Sequence, residues 1–243
     1  MTAPDFAGLA AQHTLGDDAI PDVVLELAGD RPAELAWRND LGGLTFRTGA
    51  RFVKWNPRAT GLDLARERSR LEWIAGRHPA PRVVSYAEDA DAQWMETEAL
   101  PGGSAVGDRW RARRPEAIRA IARGLRAIHD ADTGDFPAGW TSEGWVGRTP
   151  ASLGPRPPVD DPVLVHGDAC APNTLIDAAG RWAGNVDFGD LAVGDRWADL
   201  AVASMSLDWN FGEGHQDELF DAYDIKPDED RIRYYRALWH LES

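Results

Sequence analysis

The sequence predicts an α+β chain with a sheet-rich first part and a larger, mostly helical second part. Up to residue 99, short strand-like segments are separated by glycine- or proline-containing turns. After residue 103, apolar residues recur at three- and four-residue intervals, which is typical of helices. Pro101, followed by two glycines, marks the change between the two patterns. We therefore expect two lobes, residues 1–99 and residues 100–243.

The first part is predicted to contain a hairpin, a helix and two further strands. The hairpin turns at residues 48–50, where glycine favours a tight turn. The helix has Leu64, Leu71 and Ile74 on one face, and Gly76 ends it. A capping box headed by Thr60, over residues 60–63, is predicted to open the helix. The predicted strands are residues 44–47 and 51–54 for the hairpin and residues 82–86 and 93–99 for the last two.

The second part is predicted to contain helices around one compact β element. Pro115 suits the first turn of a helix. The apolar stripe of that helix consists of Ile118, Ile121, Leu125 and Ile128. Residues 154–162 are rich in proline and cannot form a regular helix. Further helices are predicted over residues 196–207, 216–224 and 228–241.

Charge and composition narrow the classes of function. The formal net charge is −14, so the surface disfavours nucleic acid and anionic lipid and attracts cations. The single cysteine, Cys170, excludes an internal disulfide and fits a reducing compartment. The first twenty residues have neither the basic start nor the long apolar run of a signal peptide or membrane anchor. We expect a cytoplasmic protein, monomeric or weakly dimeric, with no membrane or nucleic-acid partner.

A short apolar run that ends in a polar turn carries the candidate chemistry. Residues 162–165 are predicted to form a buried strand that delivers Asp168, and Asn173 follows five positions later. A hairpin is predicted over residues 174–187. If its strands pair about the central turn, Asn173 and Asp187 fall nearly opposite each other and can share one cation.

Phosphoryl transfer requires this combination of groups. A hard cation held by one carboxylate and one amide oxygen can bridge the oxygens of a nucleoside triphosphate, which assigns Asn173 and Asp187 as Mg²⁺ ligands. A separate carboxylate, Asp168, is predicted to face the attacking hydroxyl group and accept its proton. The Asp-x-x-x-x-Asn step, followed by Asp187-Phe188-Gly189, matches the order and spacing of the protein-kinase motifs.

Lys54 and Glu67 are the predicted pair for the α- and β-phosphates. Lys54 ends a strand of the first hairpin, and Glu67 lies thirteen residues later in the predicted helix. A phosphate-binding lysine needs an acidic partner of this kind. Gly42 and Gly43 precede the hairpin, where a turn can present backbone N–H groups to phosphates.

Three residues near the predicted base have expected supporting roles. Asp199, in the helix after the metal hairpin, is expected to accept backbone N–H bonds from the Asp168 loop. His166 is expected to order the same loop. Cys170 is expected to fill space rather than act as a nucleophile.

Several segments match one family in order, from about residue 44 to residue 238. They are Phe52-Val-Lys54, Arg66-Glu67-Arg68 with Trp73-Ile74, His166-Gly-Asp-Ala-Cys-Ala-Pro-Asn173, Val186-Asp187-Phe-Gly189 and Gly194-Asp-Arg-Trp-Ala-Asp-Leu-Ala201. As a set, these segments resemble the aminoglycoside phosphotransferase family, and most closely its 3′-phosphotransferases.

The resemblance implies a protein-kinase-like, two-lobed fold with ATP or GTP between the lobes. The first lobe would bind the nucleotide, and the stretch from Thr97 to Ala99 would be the hinge that meets the purine through backbone groups. The second lobe would hold the acceptor, with Asp168 as base and Asn173 and Asp187 as Mg²⁺ ligands. The implied activity is O-phosphorylation of a cationic aminoglycoside at a 3′-type hydroxyl group, which gives antibiotic resistance.

Departures from the family pattern concern the acceptor. Ala171, Trp239 and His240 stand where relatives that bind polycationic drugs carry acids. Acids elsewhere that can compensate are Glu143, Asp160, Asp161, Asp208, Glu213 and Glu242. One alternative is therefore a kinase of another antibiotic or metabolite hydroxyl group. An alternative from another class is a non-catalytic, nucleotide-binding pseudokinase module, which the retained Asp168 disfavours. A protein kinase is also disfavoured, because no Ala-Pro-Glu-like segment follows Asp187.

Overall fold

A computed structural model of the chain describes residues 20–242. The prediction made for the first twenty residues falls almost wholly outside this part. The described residues form two compact units, one of residues 20–75 and 80–100, the other of residues 76–79 and 101–242. Within residues 20–242, no helix is long and apolar enough to cross a bilayer. The assignment of nucleotide binding and acceptor binding to separate lobes stays a prediction.

The first unit is built on a five-stranded antiparallel sheet with strand order β1-β2-β3-β5-β4. Its elements in chain order are α1 (Asp22–Ala28), β1 (Glu34–Arg38), β2 (Leu44–Arg47), β3 (Arg51–Pro57), α2 (Leu64–Ile74), β4 (Val83–Glu88) and β5 (Ala92–Glu98). The pairing of β2 with β3 confirms the predicted hairpin. Leu44, Phe46 and Val53 from these strands pack with Val24 of α1 in a small apolar core, so the alternation of buried residues fixes the register of the hairpin.

Helix α2 begins after Asp63, not at the predicted Thr60. The Asp63 side chain accepts a hydrogen bond from the Arg66 N–H at 3.1 Å, as an N-cap does. The prediction that Thr60 heads a capping box is wrong, because its hydroxyl donates to the Pro57 carbonyl at 2.7 Å within a preceding 3₁₀ turn. The predicted apolar face is confirmed, with Leu64, Leu71 and Ile74 all buried.

The second unit is mostly helical and contains two small antiparallel sheets, β10-β7 and β6-β8-β9. Its elements are β6 (Gly103–Ser104), α3 (Asp108–Arg111), α4 (Arg114–His129), α5 (Trp140–Glu143), β7 (Val163–Val165), β8 (Thr174–Ile176), β9 (Trp182–Asn185), β10 (Ala192–Gly194), α6 (Arg196–Phe211), α7 (Gln216–Tyr223) and α8 (Glu229–Glu242). One sheet-based unit and one mostly helical unit confirm the α+β class.

The predicted helices of the second unit are confirmed, with differences at their ends. Helix α4 buries its predicted apolar stripe of Ile118, Ile121, Leu125 and Ile128. Helix α6 runs to Phe211 rather than to the predicted Leu207. The side chain of Asn210 is buried in this added turn, and its amide group donates to the Ser206 carbonyl at 2.8 Å. Gly212, with φ of 88°, then ends the helix. Residues 154–162 contain neither helix nor strand, as their prolines predict.

Candidate active site

Asp168 lies just beyond β7, whose three residues are all buried and pair with β10. The Asn173 side-chain amide donates to Oδ2 of Asp168 at 2.8 Å and to its carbonyl at 3.0 Å. Asp168 is partly exposed as a residue, but the surrounding protein groups shield its carboxylate from water. This desolvation, together with the charge of Asp187, raises the pKa of Asp168. A carboxylate with a raised pKa accepts a proton more readily from a hydroxyl group.

Asn173 and Asp187 are brought together by the β8–β9 hairpin. Thr174 pairs with Asn185, and the Val186 N–H donates to the Asn173 carbonyl at 3.0 Å. Asn173 is therefore opposite the residue before Asp187, which confirms the predicted near-opposite placement. Asp187 has φ of 68°, a backbone conformation that residues other than glycine rarely adopt and that is common at functional sites.

The donors at this point suit a hard cation. The Asn173 amide nitrogen is used by Asp168, so the amide oxygen is the atom that can ligate a cation. Desolvation and the Asp187 charge raise the Asp168 pKa, so the two carboxylates repel each other. A Mg²⁺ ion bound by oxygen atoms relieves such repulsion. Within residues 20–242, no group of three or more His, Cys, Asp or Glu side chains is arranged for a metal, and this candidate depends on one carboxylate and one amide.

His166 joins the catalytic loop to the segment before Asp187. Its Nδ1 accepts a hydrogen bond from the Asp168 N–H at 3.2 Å, so Nε2 carries the proton and donates to the Val186 carbonyl at 3.0 Å. The ring also packs on Phe188, with centroids 4.7 Å apart. The predicted loop-ordering role of His166 is confirmed.

Asp199, in the first turn of α6, holds the same loop from the other side. It is completely buried, and its two carboxylate oxygens accept from the His166 N–H at 2.7 Å and the Gly167 N–H at 2.9 Å. Burial opposes its charge, but the hydrogen bond from His129 and the loop amides hold the pKa of Asp199 below its ordinary value. The predicted scaffold role is confirmed.

Gly167 is required by the geometry of the loop. Its φ is 80°, and a Cβ atom placed there would lie 2.0 Å from the Asp190 carbonyl oxygen. The Gly167 carbonyl accepts a hydrogen bond from Trp145 Nε1 at 2.6 Å. The sequence does not predict this contact, because the two residues are twenty-two positions apart and no spacing rule connects a tryptophan to this loop.

Cys170 lies in the same loop as a partly buried thiol. Burial and the neighbouring Asp168 carboxylate raise its pKa well above the ordinary value. A thiol that keeps its proton is a poor nucleophile, so the structure supports the predicted space-filling role.

In the first unit, Lys54 and Glu67 form the predicted ion pair. Lys54 Nζ lies 2.6 Å from Glu67 Oε1, and the two side chains are 24% and 7% exposed. Lys54 is placed by β3, opposite Thr45 of β2 and Met95 of β5, and Glu67 by the buried face of α2. The lysine is therefore fixed in direction while part of it stays accessible.

Gly42 and Gly43 lie in the turn between β1 and β2, and their amides are already engaged. The Asn39 side-chain oxygen accepts from the N–H groups of Leu41 at 3.1 Å and Gly43 at 2.8 Å. The Gly42 N–H donates to the Asn39 carbonyl at 3.1 Å. Phosphate binding by these two glycines stays a prediction, and it requires the amides to leave Asn39.

The predicted hinge runs along the end of β5. Thr97 pairs with Phe52 on one side and Val83 on the other. The Ala99 N–H donates to the Ala50 carbonyl at 3.0 Å. Purine binding through Thr97 and Ala99 stays a prediction.

Several acids that were candidates for binding a cationic acceptor have partners within the chain. Asp161 pairs with Arg196 at 2.7 Å, and Glu242 pairs with Arg148 at 3.1 Å. Asp208 accepts a hydrogen bond from the Gln216 amide at 2.8 Å. Paired acids offer less attraction to a polycation than free ones do.

Ala171 and Trp239, which depart from the family pattern, both pack within the second unit. Ala171 is completely buried. Trp239 on α8 packs edge-on against Trp145, with centroids 5.2 Å apart. Ala171 therefore offers no exposed surface, and the partly exposed Trp239 adds apolar surface where a carboxylate was expected.

Asp168, the Asn173 amide and Asp187 lie on adjacent backbone segments, an arrangement that suits a kinase-type phosphotransferase. A family model described as the phosphotransferase enzyme family (APH) matches residues 37–155 and 149–235. The chain therefore belongs to this family and is a small-molecule kinase of the aminoglycoside phosphotransferase type.

Characterised relatives cover most of the chain. The aminoglycoside 3′-phosphotransferase of Streptomyces fradiae is 31% identical over 229 residues, covering 77% of this chain and 84% of that enzyme. The one from Niallia circulans is 29% identical and covers 79% and 84%. The streptomycin 3″-kinase of Streptomyces griseus is 28% identical and covers 92% and 96%.

Solved structures of this family have the same fold. An aminoglycoside-3′-phosphotransferase of type VIII matches with a TM-score of 0.69 and 25% identity, over 90% of this chain and 98% of that one. An aminoglycoside phosphotransferase of Streptomyces rimosus, in complex with ADP and streptomycin, matches with a TM-score of 0.66 and 22% identity, over 90% and 96%. The protein-kinase-like fold implied by the sequence is thus confirmed.

Proposed function

We propose that this protein transfers the γ-phosphoryl group of ATP or GTP, as the Mg²⁺ complex, to a 3′-type hydroxyl group of an aminoglycoside and so confers resistance to that drug. The observation that carries the proposal is the recessed Asp168, hydrogen-bonded to Asn173 and close to the charge of Asp187. The relatives named as aminoglycoside 3′-phosphotransferases support the acceptor and the position. The ADP complex of the Streptomyces rimosus enzyme supports a nucleotide co-substrate.

In the proposed reaction, Asp168 orients the acceptor hydroxyl group and takes its proton as the oxygen attacks the γ-phosphorus. A bond forms between that oxygen and phosphorus, and the bond from phosphorus to the β-γ bridging oxygen breaks to release the nucleoside diphosphate. Asn173 and Asp187 would hold the Mg²⁺ ion, which, when bound, neutralises charge on the phosphate oxygens. Lys54, held in place by Glu67, would contact the α- and β-phosphates.

Other residues have proposed roles in nucleotide binding. Backbone groups of Thr97 and Ala99 would meet the purine. Gly42 and Gly43 would offer their N–H groups to phosphate once these have left Asn39. The proposal places the enzyme in the cytoplasm, where nucleoside triphosphates are abundant, as a monomer or weak dimer without nucleic-acid or membrane partners.

A second candidate keeps the chemistry and changes the acceptor to another antibiotic or metabolite hydroxyl group. It is favoured by the pairing of Glu242 with Arg148 and by the apolar contact of Trp239 with Trp145. The net charge of −14 favours the cationic aminoglycoside. A pseudokinase module is disfavoured because it has no need of a positioned base such as Asp168.

The first experiment is nucleotide turnover with Mg²⁺ against a panel of aminoglycosides. We expect turnover with drugs that carry a 3′-hydroxyl group and none with matched 3′-deoxy drugs. If no aminoglycoside of the panel stimulates turnover while Mg-ATP or Mg-GTP still binds, the second candidate would replace the first. Absence of both turnover and nucleotide binding would overturn the phosphotransferase assignment.

Two variants test the division of roles. Asp168→Asn should lose about 10² to 10⁴ in turnover while nucleotide binding survives, because the base is lost but the shape is kept. Asp187→Ala should instead weaken binding of the Mg-nucleotide, measured by calorimetry with and without Mg²⁺. Equal nucleotide affinity in both variants and in the parent would contradict this division.

A further inference from the structure

A buried histidine outside the predicted site connects two helices to the catalytic loop. His129 is the last residue of α4, and neither its side chain nor that of Asp199 has any exposed surface. Its Nε2 lies 3.0 Å from Oδ2 of Asp199, and its Nδ1 lies 2.7 Å from the hydroxyl oxygen of Tyr223, the last residue of α7. An ionised carboxylate can only accept, so Nε2 of His129 carries the proton. Nδ1 is then free to accept from the Tyr223 hydroxyl group.

Asp199 distributes three hydrogen bonds between the histidine and the loop. Its Oδ2 accepts from both His129 Nε2 and the His166 N–H, and its Oδ1 accepts from the Gly167 N–H. The direction of the carboxylate is therefore set jointly by α4 and by the peptide groups immediately before Asp168. A buried carboxylate that loses one of three donors turns toward another donor or takes up a proton, because an unsatisfied buried charge is costly.

The end of α7 is held by a second contact. The Arg126 guanidinium group lies over the Tyr223 ring, 4.1 Å from its centroid, and donates to the Tyr223 carbonyl. Arg126 is one turn before His129 on α4, so the same helix fixes both the ring and the hydroxyl group of Tyr223. The hydrogen-bonding partner of Nδ1 is thus itself constrained.

We propose that His129 is a positioning residue for phosphoryl transfer, which acts through Asp199 to fix the His166 and Gly167 peptide groups and thereby the Asp168 carboxylate. This inference rests on the proposed phosphotransferase function. The reaction needs Asp168 within hydrogen-bond reach of the acceptor hydroxyl group, and small misplacements of such a group cost about 10²-fold in rate. His129 does not touch the substrate in this role, so its loss should lower kcat and leave KM almost unchanged.

The test compares three variants of the full chain. His129→Leu removes the donor to Asp199, and His129→Gln keeps an N–H group near the place of Nε2. Ile128→Ala is the matched control, because Ile128 is a neighbouring, fully buried residue of α4 whose truncation lowers stability without touching Asp199. The readouts are exchange of the His166 and Gly167 amide protons in the free protein, and kcat with KM for nucleotide and acceptor.

In His129→Leu, we expect the two loop amides to exchange at least about 10-fold faster and kcat to fall about 10- to 100-fold, with KM within about 3-fold of the parent. His129→Gln should recover most of both losses. Ile128→Ala should lower the thermal midpoint and leave loop exchange and kcat near the parent values.

Unchanged loop exchange in a folded His129→Leu would overturn the inference. So would faster exchange with unchanged kcat, equal losses in Ile128→Ala, or no recovery in His129→Gln. Exchange is measured without turnover, so a parent protein that phosphorylates nothing overturns the proposed function, and the exchange data still decide whether His129 fixes the loop.

Discussion

Asp168, in the loop after β7, and Asp199, which binds the peptide groups of that loop, have opposite environments. Asp199 is completely buried and accepts three hydrogen bonds, and its pKa lies below the ordinary value. Asp168 is partly exposed and accepts from the Asn173 amide, and desolvation and the charge of Asp187 raise its pKa. The fold satisfies the charge of one carboxylate and leaves the other poorly compensated.

This difference separates support from reactivity. A carboxylate that accepts several hydrogen bonds holds the backbone in place, because moving it would leave several donors unpaired. A carboxylate whose charge is opposed by its surroundings is ready to accept a proton or to lie beside a cation. The stability contributed around Asp199 thus offsets the unfavourable electrostatics around Asp168, which directly follows the two residues whose N–H groups Asp199 binds.

The largest effect on stability is expected from Asp199→Asn. The amide cannot accept from His129 and both loop peptides as the carboxylate does, and one of its N–H groups would face the donors. We expect the free energy of unfolding to fall by about 3 kcal/mol, measured by urea denaturation. Asp217→Asn, the same change at an exposed position of α7, should alter it by less than about 0.5 kcal/mol. Similar losses in the two variants would break the contrast between a satisfied and an ordinary carboxylate.

A smaller effect is expected from His78, a buried base without a charged partner. Burial lowers its pKa from 6.5 to about 4, although the hydrogen bond to Asn185 opposes the shift. Because the folded state favours the neutral ring, this contribution to stability is complete above pH 6.5. It is lost as the pH falls from 6.5 toward about 4.

Through His78, the free energy of unfolding should fall by about 2 kcal/mol between about pH 7.5 and about pH 5. In His78→Gln this part of the pH dependence should disappear, while the part due to carboxylates remains. Denaturation of both proteins at the two pH values measures the difference. An identical pH slope in the variant would show that burial of His78 does not penalise its charge.

The smallest effect, and one of opposite sign, is expected from Asp168→Asn. Removing the charge relieves repulsion with Asp187, and the new side-chain oxygen can still accept from Asn173. Without nucleotide or Mg²⁺, we expect the variant to be more stable than the parent by about 1 kcal/mol, even though it has lost turnover. A loss of stability in this variant would mean that the Asp168 charge is compensated in the folded protein after all.

The parts of the fold that follow a short local period were predictable from sequence. The stripe of α4 and the β2–β3 hairpin fall into this group, because their burial repeats at helical or strand spacing. The roles of His166 and Asp199 were also predictable. His166 lies two residues before Asp168, and Asp199 lies in the first turn of the helix that follows the β8–β9 hairpin. The start of α2 was misplaced, because Thr60 and Asp63 are both good caps and the 3₁₀ turn before the helix decided between them.

The contacts that sequence reasoning missed join elements far apart in the chain. His129 reaches Asp199 across seventy positions, and Trp145 reaches Gly167 across twenty-two. A buried histidine at the end of an amphipathic helix and a tryptophan at the start of a 3₁₀ turn have no spacing that predicts a partner. Asn39 is a different case, because it is close in sequence to the glycines. Whether its side chain accepts hydrogen bonds from their N–H groups depends on the conformation of the turn.

Gly167 restricts which sequences can carry this loop during evolution. Its positive φ and the Asp190 carbonyl 2.0 Å from where a Cβ would lie leave no room for an alanine, the smallest possible replacement. Selection for a different acceptor therefore cannot act by substitution at this codon. Adaptation to new acceptors has to proceed through positions whose side chains can change without moving this loop, and not through the residue that immediately precedes Asp168.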